Sequence, residues 1–160
     1  MHYTLIGMSG AGKSYVGRQL AAKLGYDFFD VDTVMEKHYG KSRQDILDEI
    51  GTQRFLSEQT EFIFKASFDE PHIIATGGSI VYTPEALQHL KKISKIVFLD
   101  VPLEVIQTRI EEGSRGIVGL GERTFSELYE ERLPLYQKWA DVTVPHDATA
   151  RDIVEQLLLL

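Results

Sequence analysis

The sequence predicts an α/β protein, a three-layer α/β/α sandwich around a five-stranded parallel sheet. Three observations carry that prediction. Five short runs are almost continuously apolar, the segments between them carry helical spacing, and a glycine-rich turn joins the first run to the first helical segment. Strands that are apolar on both faces are covered on both faces, and strands alternating with helices pair in parallel through right-handed crossovers.

The five runs are "HYTLI" (2–6), "DFFDV" (27–31), "HIIAT" (72–76), "KIVFLD" (95–100) and "ADVTV" (140–144). Each is rich in β-branched or aromatic residues, which suit a pleated, packed surface. The first helix is expected over 13–24, where Val16, Leu20, Ala21 and Leu24 share a face and Gly25 supplies the stop. Further helices are expected over 33–39, 42–50, 53–66, 84–92, 103–111, 124–139 and 150–159. Thr83-Pro84 and Val101-Pro102 mark two helix starts, because proline fits the first turn. Three of these helices, within 33–66, fall between the second and third strands and form an insertion on one side of the sheet. Residues 111–123, "EEGSRGIVGLGER", hold four glycines and read as too loose for a core element. No repeat, low-complexity tract or linker divides the 160 residues, so a single domain is expected.

Composition narrows the function. With 43% apolar and 26% charged residues the chain is an ordinary globular one. A net charge of −7 argues against nucleic acid or an anionic membrane surface as the main partner, while leaving room for a local basic pocket. The absence of cysteine excludes disulfides, thiolate metal sites and cysteine nucleophiles. The opening "MHYTLIG" does not read as a targeting segment, and no apolar stretch has membrane-spanning length. A cytoplasmic protein acting as a monomer is expected. The five histidines show no metal-ligand spacing.

The strongest motif is "GMSGAGKS", Gly7 to Ser14, which matches G-x-x-x-x-G-K-[ST] between a strand and an amphipathic helix. Gly7, Gly10 and Gly12 let the backbone wrap with its N–H groups inward, a concavity that suits phosphate oxygens, and the helix start adds its positive end. Lys13 reaches the outer phosphates and Ser14 offers a hydroxyl to Mg²⁺. The chain is therefore expected to bind ATP with Mg²⁺ in a P-loop fold. Asp30 and Asp32 close the second apolar run. On a strand, residues two apart share a face, so both carboxylates would point toward the phosphate loop. One can hold Mg²⁺ through water and the other can accept the proton of an attacking hydroxyl. The bland alternative is a solvated pair, or Asp32 capping the following helix.

From Thr4 to about Val144 the chain resembles the shikimate kinases, small P-loop kinases related to nucleoside monophosphate kinases. The resemblance lies in "GMSGAGKS", "GRQLAAKLGYDFFDVD", "EKHYGKS", "ILDEIGTQRF", "IIATGGS", "SRGI" and "ERLPLYQKWAD", in that order. It implies transfer of the ATP γ-phosphoryl group to a hydroxyl of a small carboxylic acid, shikimate, in the aromatic amino-acid precursor pathway. It implies a nucleotide site at Gly10, Ala11, Gly12, Lys13, Ser14 and Tyr15, with Arg109 on the adenine side. Asp30, with Ser14, becomes the Mg²⁺-side group, and Asp32 the residue that deprotonates the acceptor. Arg115 becomes the arginine of a lid over 111–123 that closes on the γ-phosphate. The acceptor site would use Asp32, Phe55, Gly77, Gly78 and Arg132 within and beside the 33–66 insertion, with Arg132 binding the carboxylate.

The match has departures. The family pattern G-E-x-x-F-R-x-x-E reads "GTQRFLSEQ" here, so Leu56 stands where a carboxylate-binding arginine belongs. Such a loss removes on the order of 1.5–3 kcal/mol, the scale of a charged hydrogen bond. Arg43 replaces the apolar residue of G-x-S-I, Ser79 replaces a third glycine, and Gly116 replaces proline. Arg43 either restores a positive charge across the acceptor pocket, or marks a different acceptor, or lies on the surface. A kinase of another small hydroxylated acceptor, and a nucleotide-binding module without catalysis, stay open as alternatives.

Overall fold

The computed structural model describes residues 1–110 and 116–159. Its strands are β1 (His2–Ile6), β2 (Asp27–Asp30), β3 (His72–Ala75), β4 (Ser94–Asp100) and β5 (Val142–Pro145). They form one parallel sheet in the order β2-β3-β1-β4-β5. The register pairs Asp30 with Ala75, Leu5 with Ala75 and Ile6 with Phe98. The carboxyl ends of β2, β3 and β1 therefore finish level, and the loops leaving them meet at one rim.

The helices are α1 (Lys13–Leu24), α2 (Val31–Tyr39), α3 (Arg43–Ile50), α4 (Thr52–Lys65), α5 (Pro84–Ile93), α6 (Leu103–Arg109), α7 (Phe125–Trp139) and α8 (Ala150–Leu157). Neighbouring strand residues point to opposite faces. Leu5, Ile73 and Val97 join Leu20 and Ile153 in one core with α1 and α8. Ile6, Ile74, Ile96 and Phe98 join Met35, Ile46, Phe55, Ile63, Leu87 and Tyr136 in the other, which includes the α2–α4 insertion. Among the described residues, no helix is long and apolar enough to cross a membrane.

Two local expectations need correction. The second strand stops at Asp30, and α2 begins at Val31. Asp30 is the N-cap: its backbone is extended and its carboxylate accepts from the Thr33 N–H at 3.3 Å. Capping stabilises a helix by about 1 kcal/mol, and here it ends the strand one residue early and starts the helix two residues early. Asp32 is thus a first-turn helical residue, and strand alternation does not set its direction. Residues Ile117 and Val118 are buried against the larger core, so this part of the glycine-rich segment is not loose. After β3, Gly78–Tyr82 form a 3-10 helix.

Candidate active site

The loop after β1 has the expected cradle. Gly10 and Gly12 have φ of 84° and 88°, a region that L side chains rarely enter, and Gly12 is the N-cap of α1. The loop opens onto a cleft of about 360 Å³ that Lys13, Ser14, Asp32, Arg43 and Gly78 help to line. Lys13 is buried and donates from Nζ to the carbonyls of Gly7 (2.7 Å) and Met8 (2.9 Å). Burial pulls its ammonium down to about 8, against the opposing pull of Asp32 and Asp30. Arg109 of α6 lies over the same loop, with Nη1 3.4 Å from the Ala11 carbonyl and 3.5 Å from that of Gly10. Tyr15 is 68% exposed at the cleft rim beside Arg18.

Helix capping holds Asp30 beside Ser14. The Ser14 hydroxyl donates to Asp30 Oδ2, while Oδ1 serves the α2 cap. Two hard oxygen donors beside a phosphate loop suit Mg²⁺, which keeps several waters and takes the rest of its shell from phosphates. Among the described residues no group of three or more His, Asp or Glu is arranged to hold a metal by itself.

Asp32 faces the cleft from the first turn of α2. Its Oδ2 accepts from Arg43 Nη1 at 2.8 Å, and Arg43 Nε lies 3.2 Å from Glu36. Burial raises the Asp32 carboxyl above the usual carboxylate range, and Arg43 pulls it part of the way back. Arg43 thus stands at the Asp32 end of the cleft. A Cβ on Gly77 would lie 2.9 Å from Asp32 Oδ1, and one on Gly78 would lie 2.7 Å from Ser9 Oγ and 3.3 Å from Arg132 Nη1. Close approach, not backbone conformation, requires glycine at both positions.

Arg132 is fully buried. Its Nη2 donates to the Val118 carbonyl at 2.5 Å and its Nε to the Tyr82 hydroxyl at 3.2 Å, with the Tyr82 ring 5.0 Å away. Nη1 has no partner among the described residues, and no described carboxylate pairs with the guanidinium. One turn on, the Tyr136 hydroxyl donates to the Gly78 carbonyl at 2.5 Å and fixes the glycine corner from below. Asp32, Arg43, Phe55, Gly77, Gly78 and Arg132 all border one recess. It contains about 10 Å³ of open space, room for about one water, and shares Asp32, Arg43 and Gly78 with the larger cleft.

Most of the expected site residues converge in this way; Arg115 lies outside the described residues. Leu56 lies apart from the recess, in a neighbouring groove with Thr60 and Tyr82. Sequence reasoning missed Tyr82, Gln59 and Ser79. Gln59 is fully buried, its Oε1 accepts from Ser79 Oγ at 3.2 Å, and its Nε2 has no partner among the described residues. Its signal was present, since Gln59 stands at the closing glutamate of the family pattern.

Comparison with known proteins gives a consistent relationship. The family model described as shikimate kinase matches residues 9–159. A shikimate kinase of Thermodesulfovibrio yellowstonii is 35% identical over 158 residues, covering 96% of this chain and 91% of that one. Among solved structures, shikimate kinase from Aquifex aeolicus superposes with a TM-score of 0.80 at 33% identity, covering 99% of this chain and 94% of that one. Shikimate kinase from Acinetobacter baumannii in complex with shikimate gives 0.85 at 28% identity, covering 99% and 90%.

Proposed function

Since the chain belongs to the shikimate kinase family, we propose that it transfers the γ-phosphoryl group of ATP to a hydroxyl of shikimate, giving shikimate 3-phosphate. The observation that carries this reading is the arrangement of Arg132. A fully buried guanidinium with one N–H edge beside Gly78 that no described residue takes up calls for an anion, and Asp32 borders the same recess. A small acid bearing a hydroxyl matches both ends, its carboxylate on Arg132 and its hydroxyl on Asp32.

In this reading the acceptor oxygen bonds to the γ-phosphorus in line as the bond to the ADP leaving oxygen breaks. Asp32 takes the hydroxyl proton, and the electron pair of the broken bond stays on ADP. Lys13 and the N–H groups of the loop stabilise charge on the phosphates. Ser14 and Asp30 would hold Mg²⁺, whose chemistry is to neutralise the β- and γ-phosphate oxygens. Arg109 flanks the nucleotide, Phe55 packs the acceptor ring, Gly77 and Gly78 let it approach main chain, and Arg115 supplies further positive charge over the γ-phosphate. Arg43 acts at the hydroxyl end, where it meets Asp32. The protein works as a cytoplasmic monomer within the single domain.

A coupled assay of ADP release with shikimate, followed by identification of the phosphorylated product, tests the reading. Shikimate-dependent turnover is expected; ATP consumption with another hydroxylated acid but none with shikimate would replace it. Leu56 and the Arg43–Asp32 contact are the specific observations that favour such a second acceptor, so a panel of hydroxylated acids belongs in the same assay.

A further inference from the structure

We propose that Tyr82 is a positioning residue of the acceptor site, holding Arg132 so that Nη1 alone is presented to the acceptor's carboxylate. The proposal rests on Arg132 as the carboxylate ligand, as argued above.

Arg132 has an unusual set of partners for a buried cation. A buried charge is normally compensated by an opposite one. Among the described residues, the hydrogen-bond and ring partners of Arg132 are neutral: the Val118 carbonyl, the Tyr82 hydroxyl and the Tyr82 ring. Tyr82 therefore contributes twice, by a hydrogen bond at 3.2 Å and by the face of its ring at 5.0 Å. Together with Val118 it occupies Nε and Nη2 and leaves Nη1 facing the corner made by Gly78.

The direction of the Tyr82 hydroxyl is set from outside. Its proton goes to Glu131, a carboxylate that can only accept, and Glu131 is paired in turn with Arg123. Burial and the Glu131 bond raise the Tyr82 phenol, so it keeps that proton. What remains toward Arg132 is a lone pair, the feature that an Nε–H donor needs. Arg123, Glu131, Tyr82 and Arg132 form a chain of alternating polarity from the surface to the recess.

This arrangement matters because of Leu56. A site with two arginines tolerates some wobble in either; a site with one depends on where that one is held. Leu56 and Tyr82 line the same groove, so the tyrosine ring flanks the space beside the position that lacks the arginine.

Tyr82→Phe keeps the ring and removes the lone pair; Tyr82→Leu removes both. With folding checked by thermal unfolding, Tyr82→Phe is expected to raise the KM for shikimate about ten-fold, the scale of one charged hydrogen bond, and Tyr82→Leu more. Turnover number and the KM for ATP should stay within about two-fold of the parent. Glu131→Gln, which frees the hydroxyl to rotate, should raise the shikimate KM by a smaller factor. An unchanged shikimate KM in both Tyr82 variants would overturn the proposal, as would a uniform loss in turnover and both KM values. A separate readout needs no acceptor: the Arg132 Nε–H, identified by its loss in Arg132→Lys, should exchange slowly in ¹⁵N spectra of the parent and quickly in Tyr82→Phe. If the parent fails to use shikimate, the functional reading falls while the exchange measurement still decides the role of Tyr82.

Discussion

Arg43→Met tests how the acceptor hydroxyl is activated. The substitution keeps most of the side-chain length and removes the charge. Arg43 Nη1 lies 2.8 Å from Asp32 Oδ2, and the two side chains are 33% and 16% exposed. A well-buried charged hydrogen bond contributes about 1.5–3 kcal/mol. One-third exposure and the sharing of the guanidinium with Glu36 place this contact at the low end, about 1.5 kcal/mol, or roughly ten-fold in an equilibrium. The sign follows from the groups around Asp32. Burial and Asp30 raise its carboxyl, whereas Arg43 and Lys13 lower it. Without Arg43 the balance shifts toward protonation, and Asp32 must be ionised to take the acceptor's proton. The acidic limb of the kcat/KM profile should therefore move to higher pH, with activity on that limb about ten-fold lower and little change above it. Steady-state kinetics across pH, at saturating Mg·ATP, reads this directly. If the limb stays where it was and only the shikimate KM rises, Arg43 is a carboxylate ligand, and its placement at the hydroxyl end is refuted.

Two further outcomes follow from the charges in the site. Because burial holds Lys13 at about 8 in the free protein and bound phosphates favour its charged form, ATP binding should take up a proton near pH 9 and almost none at pH 7. Calorimetry in two buffers of different ionisation heat measures the uptake; equal uptake at both pH values would rule out Lys13 as the group concerned. Arg132→Met removes a buried cation that no described carboxylate balances, so the unliganded protein should melt within a few degrees of the parent while shikimate binding is lost. A collapse of the fold would make Arg132 a structural residue.

The alternation of apolar runs and helical segments was legible because both faces of a parallel sheet are covered, which writes the strands as short apolar blocks. The phosphate loop was legible because its conformation restricts which residues can form it. Asp32 was misread because a cap and a strand end look alike in "FFDVD": only the Asp30–Thr33 hydrogen bond decides where the helix starts. Arg132 was open to reading as a surface charge, although its neighbours at four residues either side, Leu128 and Tyr136, are both buried on the same face of α7. That pattern, an arginine in the middle of an apolar stripe, was a usable signal. Tyr82 was not legible as a site residue, since its role depends on a contact across 50 positions of sequence, whereas Gln59 stood at a position of the family pattern and only its partner, 20 positions away, was hidden.

The departures from the family pattern also look different in three dimensions. Taken singly, Arg43, Gly116, Gln59 and Ser79 each weaken the match. In space they occur as contacting pairs. A Cβ on Gly116 would lie 2.5 Å from the Arg43 Cβ, and the Gly116 N–H donates to Gln44, the next residue of α3, at 3.1 Å. A proline there would have neither the room nor the N–H to make that junction. Likewise, Ser79 Oγ donates to Gln59 Oε1, so a glycine at 79 would leave the buried amide with one partner fewer. Neither pair hydrogen-bonds to Lys13, Ser14 or the Asp30 cap, but Arg43 reaches the phosphate end through Asp32 and the cleft it shares with Lys13. The crowded atoms are the Arg43 Cβ and the backbone of residues 43 and 44, which any side chain at 43 keeps, and Gly116 has φ of 67°, which proline cannot adopt. Gly116→Pro should therefore raise the acceptor KM equally in the parent and in Arg43→Ile, and a double variant that outperforms Gly116→Pro alone would show that the two positions are coupled through the arginine head group.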